Sequence, residues 1–477
     1  MPYQKLIDTL LDEKDFLSSL MSLLEHQSTI IRGKTLLTFI LLFKLDFRWM
    51  SVAHQELKFF NFLDRVQRES NRYFQSCLFC LIDTILDIVG VILKTVRETM
   101  VKTIKKGDID FDKDHKSSKF DEIVLRQEFK ELTGDLTHIY IILDLMNSQI
   151  FKSRIVSMDF IMTISKLLEL SEGAKFMGTE EFLNIVLMIV ECLSSVHKCL
   201  FDGNEPILKY LLPKLLNNLG HKTTNFRFLS LKIFADIATQ YLSDSNLYDV
   251  SGGNTFSKDL NKLILKKLFP KYMDILEDQD PVPLFGLKLL SIIVERNSAF
   301  VKVLSDLNLI SVICDYFEDG HQRLNRYTIK IIKNIVESDA LSTEDINNLM
   351  IAEKANQIVV NMLKNNQDWC FELLLDIIYY LVKDTADKIQ NKTDQEHCNT
   401  LIDSLYQNFI PCIQLLSLSY ESIIVDKASQ CLLTLLQLYA INSDNKRKQI
   451  YFVEEHMEYL LASLESEKRV VIKRILK

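Results

Sequence analysis

A chain of 477 residues with a formal charge of −8, 48% apolar residues, 12 Gly and 7 Pro has ample material for a core and little for tight turns or phosphate-cradling loops. Its acidic and basic residues are mixed along the sequence, which excludes the strongly basic footprint of a nucleic-acid-binding domain. The nine cysteines are scattered without framework spacing and read as reduced thiols in a cytoplasmic protein.

The length allows about two to four ordinary domains or one long repeat array. The N-terminal MPYQKLIDTLLDEKDF places acids where a secretory signal would be apolar, so no signal is expected. Helical periodicity then runs over 14–25, 28–45, 54–69 and 71–106. Within the last of these, YFQSCLFCLIDTILDIVGVIL (73–93) approaches membrane length, but Asp83 and Asp87 interrupt it. Carboxylates in mid-span are costly, so a buried helix of a repeat is expected and no membrane span. The polar KKGDIDFDKDHKSSK (105–119) reads as an exposed loop. Helices follow over 120–147, 150–171, 179–201, 206–218 and 223–243, and a second loop over 243–256 carries the chain's Gly-Gly pair.

Beyond it the periodicity predicts helices over 257–276, 282–297, 307–318, 322–338, 353–365, 368–388, 398–416, 419–441 and 446–475. Pro281 and Pro283 precede Leu284, Leu287, Leu290 and Val294, an apolar face at helical spacing. Proline suits a helix's first turn, and Asp278 and Asp280 upstream suit its N-terminus. No segment alternates with a period of two, so no sheet is expected.

The helices repeat. LLPKLLNNL (211–219) resembles LFPKYMDIL (268–276), and each leads into a matching helix, FLSLKIFADIA (228–238) and LFGLKLLSIIV (284–294). The Pro-Lys pair recurs at 213 and 270, and the Leu-Lys pair at 231 and 287. Weaker echoes lie at 16–42 and 409–436. A helix, a polar turn and a more apolar helix in units of about 40 residues fit armadillo or HEAT repeats, which must stack to cover their apolar faces. The fold class expected is therefore all-α, a superhelical solenoid of armadillo/HEAT-type repeats. It divides into N-terminal repeats (1–106), a charged exposed loop (107–119) and a continuing solenoid (120–477).

Catalytic motifs are absent from the sequence. It holds no GxxxxGK[ST], HExxH or GxSxG, and no kinase Gly-rich loop, HRD or DFG. No enzyme activity, cofactor or metal is expected. Asp108, Asp110, Asp112 and Asp114 alternate like the start of a calcium loop, but the sixth position needs Gly and holds Lys113 or His115 in the two registers. Cys77 and Cys80 form a CxxC without a second pair, and Cys192, His197 and Cys199 offer too few ligands for a structural zinc.

Candidate partner-binding residues fall in three places. Lys258, Lys262 and Lys266 recur every four residues, with Lys267 and Lys271 beside them. Lys468, Arg469, Lys473 and Arg474 alternate with apolar residues in an amphipathic C-terminal segment. Either group can meet an acidic partner such as a tubulin surface, and the alternative is a solvated face. Asn334, in IKNIVE, sits where armadillo proteins often carry an Asn that binds an extended peptide's backbone.

The stretch LFPKYMDILEDQDPVPLFGLKLLSIIVERNSAFVKVL resembles the armadillo-like repeat region of the kinase family that includes Fused, RUNKEL, TWO-IN-ONE and the pseudokinase ULK-four. The likeness lies in the D-x-DP-x-P-L-x-x-LKLL core and the E-R-N element after it. A second patch, STIIRGKTLLTFILLF (28–43), shares the Arg-Gly-Lys that opens an early repeat, with similar spacing on to Trp49 and YFQSCLFCLI (73–82). The resemblance implies the scaffold half of such proteins. Family members begin with a kinase or pseudokinase domain, whereas this chain starts almost directly in the repeats, and kinase activity does not carry over because no residue here matches a kinase motif. It further implies a non-catalytic scaffold of a ciliary axoneme (central apparatus) or other microtubule-based assembly, with tubulin, axonemal proteins and a Fused-type kinase or pseudokinase as partners. The implied location is cytoplasmic, on the cytoskeleton, in the cilium axoneme. The alternative kept open is a soluble adaptor that binds extended peptides or cargo in its groove. An enzyme with an unrecognised site is a third class, which a nucleotide-binding assay would test.

Overall fold

The computed structural model describes residues 9, 14–111, 138–152, 154–173, 179–195, 200, 204–250, 254–338, 340–418 and 421–441. All regular structure among them is helical. The chain divides into two compact units, Met1–Ile237 with Lys258–Phe269, and Ala238–Ser257 with Pro270–Lys477. Each is built from helical hairpins of armadillo/HEAT type, as the repeated sequence predicts.

In the first unit the helices are α1 (Lys14–Leu24), α2 (Thr29–Leu45), α3 (Arg48–Leu57), α4 (Phe59–Val66), α5 (Arg72–Phe111), α6 (Ile139–Asn147), α7 (Gln149–Lys152), α8 (Met158–Gly173) and α9 (Thr179–Ser194). Next come α10 (Asn204–Pro206), a π turn (Ile207–Leu211) and α11 (Leu212–Asn217). The helix α12 (Thr224–Ser243) starts in this unit, and α13 (Thr255–Leu263) leads into a second π turn (Ile264–Leu268). Phenylalanines fill the core: Phe59 meets Phe39 at 4.6 Å and Phe43 at 5.6 Å between ring centres, and Phe60 meets Phe151 at 5.6 Å. Each fully buried ring contributes about 1.5–3 kcal/mol.

The long α5 packs on α2 and α8. Among the described residues it is the one helix long and apolar enough to cross a membrane, and half of its apolar window is buried within the chain. Asp83 and Asp87 lie on its exposed face. Gly33 lets α2 and α5 approach, because a Cβ there would stand 2.4 Å from the Tyr73 ring. Asp64, on α4, reaches across to receive the N–H of Gln149 at 3.1 Å, that of Ile150 at 2.8 Å and the Ser148 hydroxyl at 2.9 Å. It thus caps α7 from a distant part of the sequence.

The second unit holds α14 (Tyr272–Glu277), α15 (Val282–Arg296), α16 (Ala299–Asp306), α17 (Leu309–Tyr316), α18 (Arg326–Glu337), α19 (Thr343–Asn348), α20 (Ile351–Lys364), α21 (Phe371–Gln390), α22 (Gln395–Tyr406), α23 (Phe409–Leu418) and α24 (Ser422–Ile441). Helices α15, α18, α21 and α24 pack one on the next. They form the inner rungs of successive repeats. Pro283 stands in the first turn of α15, with Pro281 as its N-cap, as the sequence predicts. Gly286 brings α14 against α15: a Cβ there would meet Ile275 Cγ2 at 2.6 Å, and its carbonyl accepts the Tyr272 hydroxyl at 3.2 Å. Arg323 closes the C-terminus of α14 by donating to the carbonyls of Leu276 and Asp278, and to the Tyr316 hydroxyl. The loop after α12 is stitched in place, because Ser257 receives the Asp249 N–H and donates to the Leu247 carbonyl while Asn254 also donates to Leu247.

Several predicted helices are subdivided. The segment 54–69 breaks at Lys58, which takes a left-handed conformation at φ 52°. Asn308 (φ 56°) and Met350 (φ 54°) likewise separate α16 from α17 and α19 from α20, so helices appear over parts of 299–306 and 343–348 read as connections. The segment 398–416 is the pair α22 and α23, and 206–218 and 257–276 are interrupted by the π turns. Helix α5 continues through Phe111, past the expected end at 106, and most of the charged loop lies outside the described residues, as do 120–137 and 446–475.

Three inner-helix entrances share a turn that sequence reading overlooked. His26, His221 and His321 each accept, through Nδ1, the N–H two residues on, from Ser28 at 2.9 Å, Thr223 at 3.1 Å and Arg323 at 3.0 Å. The signal was a His followed two residues later by a residue that opens the turn, each time shortly before a repeat's second helix.

Candidate functional site

The inner rungs of the second unit carry a continuous polar ladder. Lys330, on α18, pairs with Glu295 on α15 at 2.6 Å. Lys333, one turn on, lies 3.3 Å from Glu337 on its own helix and 3.7 Å from Asp376 on α21. Asp376 also binds Lys427 of α24 at 2.6 Å, and Lys427 reaches Glu372 at 3.3 Å. The Tyr380 hydroxyl donates to Glu337 at 2.8 Å. That hydrogen bond, with burial, pushes the phenol up to about 12, so it remains a donor at neutral pH. Beneath this layer the Cys431 thiol donates to the Leu375 carbonyl at 3.2 Å, tying α24 to α21.

The spacing explains the ladder. Apolar residues such as Ile331, Ile332 and Ile335 face the core, which leaves 330, 333, 334 and 337 along the opposite side of α18. Every lysine in the ladder faces a carboxylate of a neighbouring rung, so the face is pre-arranged, with four carboxylates to three lysines. The arrangement suits recognition of a partner's charged and amide groups.

Asn334 lies within this ladder, half-buried on α18. Its Nδ2 is closed off from solvent and has no acceptor among the described residues. An unmade bond at a buried donor costs about 1–3 kcal/mol. An extended peptide would reach this nitrogen only where neighbouring ladder side chains swing aside.

The first basic cluster, Lys258 to Lys267, belongs to the first unit. Lys258 and Lys262 are exposed on α13, and Lys266 is exposed on the π turn that follows. A π turn holds more residues per turn than an α turn, so a four-residue spacing drifts less there and the three stay in line. Lys267 is exposed too, and Lys271 is half-buried. Lys468, Arg469, Lys473 and Arg474 lie outside the described residues, as do His197 and Cys199. Cys77 is buried, Cys80 is exposed, and Cys192 lies beside Asn147 at 3.5 Å. No cluster of three metal-ligating side chains occurs among the described residues.

The ladder residues Glu295, Lys330, Lys333, Glu337, Glu372, Asp376, Tyr380 and Lys427 escaped sequence reading. One signal pointed to them: Lys333 and Glu337 stand four apart on one helix. In the first unit Lys232, of the Leu-Lys pair at 231, likewise bridges two helices by pairing with Glu191 at 2.5 Å.

Comparison with known proteins supplies the lineage. Residues 116–302 match the family described as Serine/threonine-protein kinase ULK4-like, HEAT repeats. The serine/threonine-protein kinase RUNKEL of Arabidopsis thaliana is 24% identical over 354 residues, which is 74% of this chain and 25% of RUNKEL. The serine/threonine-protein kinase ULK4 of Mus musculus is 24% identical over 444 residues, 89% of this chain and 31% of ULK4. An engineered protein of known crystal structure is similar at a TM-score of 0.48 and 12% identity, covering 96% of this chain and 97% of its own. The chain therefore spans between a quarter and a third of the length of these two kinases. Residues 116–302 thus match HEAT repeats of the ULK4-like type, and the chain is homologous to RUNKEL and ULK4 over its repeat region.

Proposed function

We propose that the chain is a non-catalytic repeat scaffold of a microtubule-based assembly, such as the central apparatus of a ciliary axoneme, and that it docks a Fused-type kinase or pseudokinase. The observation that carries the scaffold reading is the ladder from Glu295 to Lys427, a pre-arranged polar face across four successive rungs. RUNKEL and ULK4 are serine/threonine-protein kinases, which supports the kinase part, while the cytoskeletal part rests on the family resemblance of the sequence. The test is to tag the endogenous protein, purify it gently and identify its companions by mass spectrometry, beside a Lys333→Glu/Lys427→Glu variant. Axonemal proteins or a Fused-type kinase, lost from the variant, are expected. Assorted soluble clients with no cytoskeletal protein above background would overturn the reading.

The unpaired Nδ2 of Asn334 favours a second reading, an adaptor that binds extended peptides along the rungs. An Asn334→Leu variant separates the two. It abolishes capture of peptide clients under the second reading and leaves the assembly's partners in place under the first.

A further inference from the structure

The first unit contains a cleft of about 760 Å³ between the α3–α4 corner and α6. Arg48, Ser51, His54 and Lys58 line one wall, and Tyr140 and Asp144 the other. Helical spacing produces both walls. Residues 48, 51 and 55 share a face of α3, and 140 and 144 share a face of α6. The left-handed Lys58 turns α4 away from α3 and opens the corner.

The polar groups here are unequally satisfied. Asp46 fixes the Arg48 guanidinium, accepting from its Nε at 2.9 Å and its Nη2 at 2.6 Å. The His54 ring stacks on Phe60 at 4.3 Å, and its Nδ1 accepts the Phe60 N–H at 3.4 Å, which leaves the ring proton on Nε2. Tyr140 donates to Glu181 at 2.6 Å. Asp144 is half-buried and has no hydrogen-bond partner among the described residues. Burial holds its carboxyl above the usual range, opposed by His54, and burial holds His54 below its usual value, opposed by Asp144. Lys58 is exposed at the rim with no ion-pair partner among the described residues.

We propose that this cleft binds a partner protein through one basic side chain, Lys or Arg, whose cationic head meets Asp144. The half-buried Asp144 carboxylate is the one acid among the lining residues, with His54 as its electrostatic neighbour. A cation beside it restores what burial removed, whereas an anion would press a second negative charge on it. Ser51 and the amides of Gln55 and Asn61 supply hydrogen bonds for the flanking backbone. Lys58 repels a second basic residue, so the cleft selects an isolated basic side chain over a polybasic tract. The cleft is built wholly from residues of the first unit and shares none with the ladder.

The test uses the full chain and three fluorescent heptapeptides of Gly and Ser, bearing a single Arg, three consecutive Arg, or a single Glu, read by anisotropy. The single-Arg peptide binds best. Asp144→Asn weakens it about tenfold, the loss of one well-placed charge pair, while Asp144→Glu keeps most of the binding. Lys58→Glu lets the triple-Arg peptide bind at least as well as the single-Arg one. A melting curve confirms that each variant is folded, as expected for loss of an unpaired carboxylate. The proposal is overturned if folded Asp144→Asn binds like the parent, if the Glu peptide binds best, or if no peptide binds at about 1 mM.

Discussion

Gly286 and Gly33 occupy equivalent-looking places, each opening an inner helix to a close neighbour, yet alanine should act on them in opposite directions. Alanine in a helix gains about 1 kcal/mol over glycine. At Gly286 the new methyl would stand 2.6 Å from Ile275 Cγ2. Ile275 is 3% exposed and β-branched, and its Cγ2 is bonded directly to Cβ, so it moves only by a costly χ1 rotation or with the backbone of α14. Overpacking of that kind costs about 1–3 kcal/mol. The net effect of Gly286→Ala is a loss of about 1 kcal/mol, concentrated where α14 meets α15. At Gly33 the close atom is Tyr73 Cε1, at 2.4 Å, the far end of a side chain that is 42% exposed. That ring swings outward at little cost, so Gly33→Ala is neutral or stabilising by up to about 1 kcal/mol. Hydrogen exchange reads this locally. Amides of 272–277 should exchange about fivefold faster in Gly286→Ala, and those of 29–45 no faster in Gly33→Ala. If Gly286→Ala matched or exceeded the parent's protection, or Gly33→Ala lost as much, the packing argument would be wrong.

Asp64→Ala removes the distant cap of α7 and should cost about 0.5–2 kcal/mol, seen as faster exchange at Gln149 and Ile150 while α3 stays protected. Arg323→Lys keeps the charge but loses the fork that spans the Leu276 and Asp278 carbonyls, and should lower the melting temperature where a mere charge effect would not. His54 and His397 should titrate on opposite sides of 6.5 in two-dimensional NMR of the imidazoles. Burial lowers His54, so its contribution to stability is full above 6.5 and falls as the pH drops below it. The hydrogen bond to Asp394 at 2.6 Å raises His397, so its contribution is full below 6.5 and is lost as the pH rises through the raised value. Finding His54 above His397 would refute both assignments.

The helical repeats were legible because their apolar period is long and regular, and the start of α15 was legible because Pro281 and Pro283 have a local mechanism. The breaks at Lys58, Asn308 and Met350 were not. A left-handed residue is usually announced by Gly, and here exposed Lys, Asn and Met residues take that conformation at the corners between helices. The ladder hid for another reason. Lys333 and Lys427 both meet Asp376 only after three repeats have stacked, and no local pattern carries that information. Asn334 was singled out from sequence, and the structure sets it among these charges. The Lys258 cluster belongs to the first unit and shares no residue with the ladder.

The two π turns have a bearing on how such repeats are compared. Each contains Ile-Leu-Lys-x-Leu and runs directly toward a proline, Pro213 or Pro270, whose ring crowds the carbonyl four residues back. The amides of Leu212 and Phe269 reach five residues back, to Ile207 and Ile264, so each turn stores an additional residue within a continuous helix. Counting positions along the chain and measuring turns around the axis therefore give different answers beyond these points. A relative that replaces the proline can drop one residue there and keep every downstream face aimed as before. An alignment that scores such a gap as a helix break would mistake a conserved geometry for a lost repeat.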